Sequence, residues 1–166
     1  MERLAHALSH GFPVSIRYSR IMTTYFQQLN IDTQPGISLH NITPAVKEAV
    51  RASGIPEGIL VVTSQHTTVA ITLNEDEQRL AIDIREHFEK LVPPDRPYLH
   101  NDIHLRDCDP EEPENAHSHL IAMLLGGSES LAVHKGRLQL GKWQSLLVAE
   151  LDGPRRRSVT LQIVGE

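Results

Sequence analysis

Cysteine occurs once in the 166 residues, at Cys108, so no internal disulfide can form and a reducing compartment is the default. No stretch approaches the roughly 20 consecutive apolar residues of a membrane span, which excludes an integral helical membrane protein. Positive charge is in deficit: 16 Lys and Arg face 21 Asp and Glu, for a net charge of −5. That balance argues against a nucleic-acid-binding surface. Aromatic residues are scarce as well, with one Trp, three Tyr and three Phe, while histidine reaches ten. Ring-bearing side chains are thus biased towards those that titrate and ligate metals. The remainder is 40% apolar and 22% charged, an ordinary balance for a cytoplasmic globular protein with no membrane partner.

Residues 1–21 carry three arginines against one acid and lack the apolar core of a signal peptide. They are read as an N-terminal extension outside the core, with translation starting at Met1 or at Met22. Residues 22–166 are read as one domain. Thr24 to Asp32 and Gly36 to Asn41 pattern as strands around the Pro35–Gly36 turn. Thr43 fits an N-cap, Pro44 the first helical position and Gly54 the helix stop. Gly58 to Ser64 is a short apolar run of strand length, and the alternation of Val69, Ile71 and Leu73 gives a second strand. Leu80, Ile84, Phe88 and Leu91 share one helical face before Pro93–Pro94. Residues 95–114 form a long polar loop, with six acids between Asp102 and Glu114 against Arg106 alone. Asn115 to Gly127 brackets a third helix, and the rest reads as strands: Ser130 to Val133, Leu138 to Leu140, Ser145 to Leu151 and Ser158 to Val164. Three helices interspersed among strands, with hairpins crowding the C-terminal part, predict an α+β fold.

No glycine-rich phosphate fingerprint or nucleophile elbow is present. Cys108 lies between Asp107 and Asp109, whose charges raise a thiol pKa and blunt it as a nucleophile. Histidine placement is the stronger signal. His100, His104, His117 and His119 cluster within twenty positions, and His66 sits between two strands. His117, Leu120, Ile121 and Leu124 fall on one helical stripe, which turns His117 inward and His119 away. An inward His117 is either a hydrogen-bonded core residue or a ligand, and the neighbouring carboxylates suit zinc or a related divalent ion. Asp83 and His87, four apart, are either a surface ion pair or part of a site. Glu150 shares a strand face with Leu146 and Val148, so its carboxylate needs a partner. The Arg155–Arg156–Arg157 run can supply that partner or bind an anionic substrate.

The segments SQHTTVAITLNEDE, YLHND, NAHSHLIAMLLGGSES and GRLQLGKWQSLLVAELDGPRRRSV, in that order from about Gly36 to Gly165, resemble the YjbQ-like family, also called secondary thiamine-phosphate synthases. The resemblance implies a mixed, largely antiparallel sheet system and a homotrimer with a His-rich pocket near the subunit interface. Carried over by position, it implies catalytic roles for His66, His117 and Glu150. Substrate would meet Thr67, Thr68, Asn74, Glu75, Trp143, Gln144, Arg155 and Arg157. A divalent metal, whether zinc, another transition metal or magnesium, would be held by His66, His100 and His117. The implied activity joins a pyrimidine diphosphate to a thiazole phosphate, as a secondary activity on small phosphorylated substrates. Two other readings stand beside it: metal-assisted hydrolysis of a small phosphorylated or amide substrate with Glu150 or Glu75 as base, and a trimeric binding module without turnover.

Overall fold

A computed structural model describes residues 21–166 of the chain. The extension expected over residues 1–21 and the choice of start site therefore lie, apart from Ile21 and Met22, outside the described residues. Strand β1 (Thr23–Asp32) turns into β2 (Gly36–Asn41), followed by helix α1 (Thr43–Ser53). Pro44 occupies the first turn of α1, and Gly54 ends it in the left-handed region at φ 65°. The expected cap differs in detail. Thr43 is already helical, and its hydroxyl accepts the backbone N–H of Leu146 at 2.8 Å, tying the helix to a strand instead of capping its own first turn.

Strands β3 (Glu57–Ser64) and β4 (Val69–Asn74) precede helix α2 (Gln78–Leu91), and α3 (Ala116–Leu125) leads into β5 (Ser128–His134), β6 (Arg137–Leu138), β7 (Ser145–Gly153) and β8 (Arg156–Gly165). Every strand pair is antiparallel. The larger sheet runs β1-β8-β3-β5-β6 and the smaller β2-β7-β4. Leu60, Val62, Leu161 and Ile163 of the large sheet join Ile71, Leu146 and Val148 of the small one in the main core, with Val46 and Val50 of α1 in the same cluster. The opposite face of the small sheet is covered too: Ala70, Ala149 and Leu151 pack with Ile121 of α3 and with Phe88 of α2. Central strand β7 is thus apolar on both faces, which is why SLLVAEL reads as a nearly continuous run. The result is three layers, large sheet, small sheet and the α2–α3 pair, with α1 packed into the main core, in the α+β class that the pattern predicts.

The acidic loop is not structureless. It holds two single 3-10 turns, Leu99–Asn101 and Ile103–Leu105, organised by Arg106. Arg106 donates to the His100 carbonyl at 2.8 Å and to Glu112 at 2.9 Å. No helix among the described residues is long and apolar enough to cross a membrane.

Candidate functional site

Glu150 lies on the core face of β7 and is fully buried. Its oxygens accept hydrogen bonds from Arg157 Nε (2.6 Å) and Nη2 (2.7 Å), the Thr33 hydroxyl (2.9 Å), and the backbone N–H groups of Leu151 (3.0 Å) and Asp152 (2.8 Å). Burial pushes the carboxyl up, but the Arg157, Asp152 and Thr33 hydrogen bonds outweigh it and hold Glu150 below the usual glutamate range. Arg157 in turn donates to the Thr68 hydroxyl at 3.0 Å. Of the two readings of the arginine run, Arg157 therefore takes the first, as partner to Glu150. Arg155 is likewise engaged, with Nη2 on Asp152 Oδ2 at 2.8 Å. An ionised carboxylate so fully hydrogen-bonded has poor access to a substrate proton, so Glu150 serves this fold as a fastening between strands. Gly153 belongs to the same fastening: a Cβ there would collide with the Gln34 carbonyl and meet the Glu150 side chain at 2.9 Å.

His66, in the turn between β3 and β4, accepts the Ser158 N–H at its Nε2, 3.0 Å away. An imidazole nitrogen that accepts from a backbone N–H offers its lone pair, so the ring is neutral with its proton on Nδ1. Burial lowers the His66 pKa, and the Arg157 guanidinium lowers it further against the pull of Glu150. Neither nitrogen is then free to ligate a metal without giving up this hydrogen bond or losing the Nδ1 proton. Thr67 is exposed beside it.

His100, His117 and His119 lie at the N-terminal end of α3, where the helical stripe differs from the expected one. Ser118 and Ile121 are the fully buried positions, while Leu120 and Leu124 are exposed, Leu124 at 64%. The cause is a hydrogen bond that hydropathy does not register: the Ser118 hydroxyl donates to the Leu151 carbonyl at 2.6 Å and seats the helix by that residue. His117 and His119 flank Ser118 at about 100° to either side, so both are half-buried on the edges of the seated face. His119 does not turn away. Its ring packs edge-on against His100, centroids 4.7 Å apart. Burial lowers the pKa of both His117 and His119, and Asp152 opposes the shift in each.

Asp152 joins the strand end to this corner. Its Oδ2 accepts from Asn115 Nδ2 at 2.8 Å as well as from Arg155. Because the Asn115 amide nitrogen is fixed by that carboxylate, its Oδ1 is the atom left over. Three buried polar atoms here have no hydrogen-bond partner: His100 Nε2, Asn115 Oδ1 and His117 Nδ1. Of the residues that carry them, His100 alone lines an open hollow of about 450 Å³, together with Tyr98, Leu99, Ala116, His119 and Leu120.

The residues singled out from the sequence do not form one cluster within the chain. Val69 is opposite Glu150 and Asn74 opposite Ser145 in the β4–β7 pairing, five residues or about 17 Å apart along the sheet. Asn74, Glu75, Trp143 and Gln144 thus belong to one end, and His66, Thr67, Thr68, Glu150, Arg155 and Arg157 to the other. Trp143 is 65% exposed with the Lys142 ammonium 4.7 Å above its ring, and Gln144 Oε1 accepts the Gly141 N–H within its own turn. His66 is fastened to β8 of the large sheet, whereas His117 sits on a helix covering the far face of the small sheet. Among the described residues, no three His, Cys, Asp or Glu side chains come together as a metal-holding group. Within one chain, His66, His100 and His117 are not brought together as such a group.

Sequence reasoning passed over Asp152 and treated Asn115 only as a helix cap. The available signal was that Asp152 lies two residues beyond Glu150, next to the Gly153–Pro154 turn, where a strand end is open to a neighbouring helix. Cys108 has a raised pKa as expected, but burial is the leading cause, with Glu112 and Asp109 adding to it.

The family model described as UPF0047 protein YjbQ-like matches residues 27–166. A UPF0047 protein of Methanothermobacter thermautotrophicus is 43% identical over 145 residues, covering 87% of this chain and 95% of its own length. The crystal structure of a protein of unknown function from Sulfolobus solfataricus is similar with a TM-score of 0.79 at 37% identity, covering 88% of this chain and all of its own. That of a hypothetical protein from Aeropyrum pernix gives 0.78, also at 37% identity, over 86% of this chain and 99% of its own.

Proposed function

The chain belongs to the UPF0047 YjbQ-like family, and on that premise we propose that it is a cytoplasmic small-molecule enzyme whose reactive groups lie where His100, Asn115, His117 and His119 meet Asp152. The observation that carries this reading is the set of three buried polar atoms without partners in that one corner. Each such atom costs about 1–3 kcal/mol unless something hydrogen-bonds to it, so the corner is built for a group that the chain does not itself supply. His117 and His119 are held neutral by burial and can take a proton from a bound substrate and return it. Asp152, fixed by Asn115 and Arg155, stabilises whichever ring becomes charged through its negative charge.

The substrate class we favour is a small phosphorylated molecule. Arg155, held on Asp152, lies at the margin of the corner and can meet an anionic group. Thiamine-phosphate synthesis is the specific reaction that the sequence resemblance implies, with pyrophosphate departing towards Arg155. Trp143, the one indole able to stack on a pyrimidine, lies at the other end of the sheet and would have to come from a second copy. A homotrimer provides that opportunity: Leu120, Met123 and Leu124 form an exposed apolar strip on α3, with Leu99 nearby. A divalent metal enters this reading only with further ligands from water, substrate or a neighbouring copy.

The test is kinetic. With the pyrimidine diphosphate and the thiazole phosphate as substrates, the chain should release pyrophosphate only when both are present, and His117→Ala should lower the rate at least tenfold. Light scattering should give about three times the 18.6 kDa chain mass. Turnover unaffected by His117→Ala would remove the proposed corner from the chemistry. Saturable binding without turnover on any phosphorylated compound would leave a binding module.

A further inference from the structure

A second hollow, of about 420 Å³, lies between α2 and the outer face of the small sheet and shares no lining residue with the histidine corner. Its floor is apolar and closed: Leu147, Ala149 and Leu151 are at most 1% exposed. Ile84 and Phe88 form the roof from α2, and Leu125 of α3 contributes from the helical layer. Helix α2 has no fully buried residue, although Ile84 and Phe88 face the sheet. A helix whose inward stripe stays half-exposed above a fully buried floor is bridging a gap, and α2 does so here. Both its ends are fastened. The Glu77 carboxylate caps Arg79 and Leu80 at 2.8 and 2.7 Å, and the Val92 N–H closes the last turn on Phe88.

The rim of this slot is polar and its groups are unspent. Thr72, Asn74, Asp83 and His87 line it. Asn74 Oδ1 accepts the Glu75 N–H at 2.8 Å, which leaves its amide N–H groups uncommitted. Asp83 makes no ion pair or hydrogen bond with any described residue; the surface pair with His87 that the four-residue spacing permits does not form. A lone carboxylate at the mouth of an apolar slot is complementary to a molecule with an apolar body and a cationic head.

We propose that this slot binds a small organic cation, its apolar part between Phe88, Ile84 and the sheet and its ammonium group on Asp83. Neutral and anionic molecules of the same shape bind less well, because only the cation gains the Asp83 attraction. The carboxylate is exposed, so the gain is that of a surface ion pair, about two- to fivefold in affinity. This inference is independent of the reading of the histidine corner.

Three probes of one shape test it on the full chain: benzylamine, benzyl alcohol and benzoate, followed by calorimetry and by chemical shifts of the Ile and Leu methyl groups. Benzylamine should bind about two- to fivefold more tightly than benzyl alcohol, and benzoate more weakly than either. Shifts should concentrate at Ile37, Leu39, Ile84 and Leu147. Asp83→Asn should remove the preference for the amine while leaving benzyl alcohol unchanged, and Ile84→Trp should weaken all three by filling the slot. Equal affinities for the three probes, a preference that survives Asp83→Asn, or shifts mapping elsewhere would each overturn the proposal. These readouts on the unaltered chain and the Asp83 variant decide it even if Ile84→Trp fails to fold.

Discussion

Thr33, Thr68, Glu150 and Arg157 come from four separate stretches of chain and converge on one buried charge pair, and the physics of such pairs sets what each substitution does. Removing one partner leaves the other buried and uncompensated, at a cost of about 3–5 kcal/mol, whereas removing both together is far milder. Glu150→Gln should therefore lose about 3–5 kcal/mol in urea unfolding, and the double change Glu150→Leu with Arg157→Met should recover much of it. The pH dependence has a definite sign. Because the folded carboxyl sits below its unfolded value of about 4.3, its contribution is complete above that pH and is lost as pH falls through the folded value. The histidines act in a different window. His40, His66, His117 and His119 all have folded values lowered by burial, so between those values and about 6.5 the unfolded chain binds more protons and stability rises with pH. In His66→Gln the amide oxygen can still accept the Ser158 N–H, so the fold should persist. Proton uptake on unfolding near pH 6 should then fall by up to about one per chain, which stability curves at several pH values would measure.

Elements whose identity follows from local chemistry were readable in the sequence. Helix α1 follows from Pro44 near its start and Gly54 at its stop, the Lys135–Gly136 turn has positive φ at both positions, and the two faces of β7 divide as alternation predicts. The third helix was readable in extent but not in rotation. A hydropathy stripe treats serine as an outward residue, yet Ser118 is as fully buried as Ile121 because its hydroxyl has a carbonyl waiting for it. The same limitation hid the site. Which residues share an end of the small sheet depends on register, which motif order does not carry: within one chain Trp143 and Glu150 occupy opposite ends. His66 was readable as a polar residue at a strand start, but not as the acceptor for Ser158, 92 positions away. At this scale Ser118→Ala is the informative change. It strips the Leu151 carbonyl of its buried partner and should cost about 1–3 kcal/mol by chemical denaturation. A substitution there within experimental error of the parent would mean that α3 is seated by Ile121 alone.

As a whole, the molecule places a doubly covered sheet between a second sheet and a helical layer, and two hollows open beside that layer. At the α3 corner, half-buried histidines stand among buried polar atoms that lack partners; under α2, an apolar slot ends in a lone carboxylate. The histidine corner is the central claim, and its occupancy can be read without knowing the physiological substrate. The full chain, labelled with nitrogen-15 in its histidine rings, is titrated with inorganic pyrophosphate near neutral pH. The account predicts saturable shifts at the ring nitrogens of His100, His117 and His119, with the surface pair partner His134 unmoved. Rings at the α3 corner that stay unchanged while pyrophosphate binds elsewhere, or shifts of equal size across all the histidines, would contradict it.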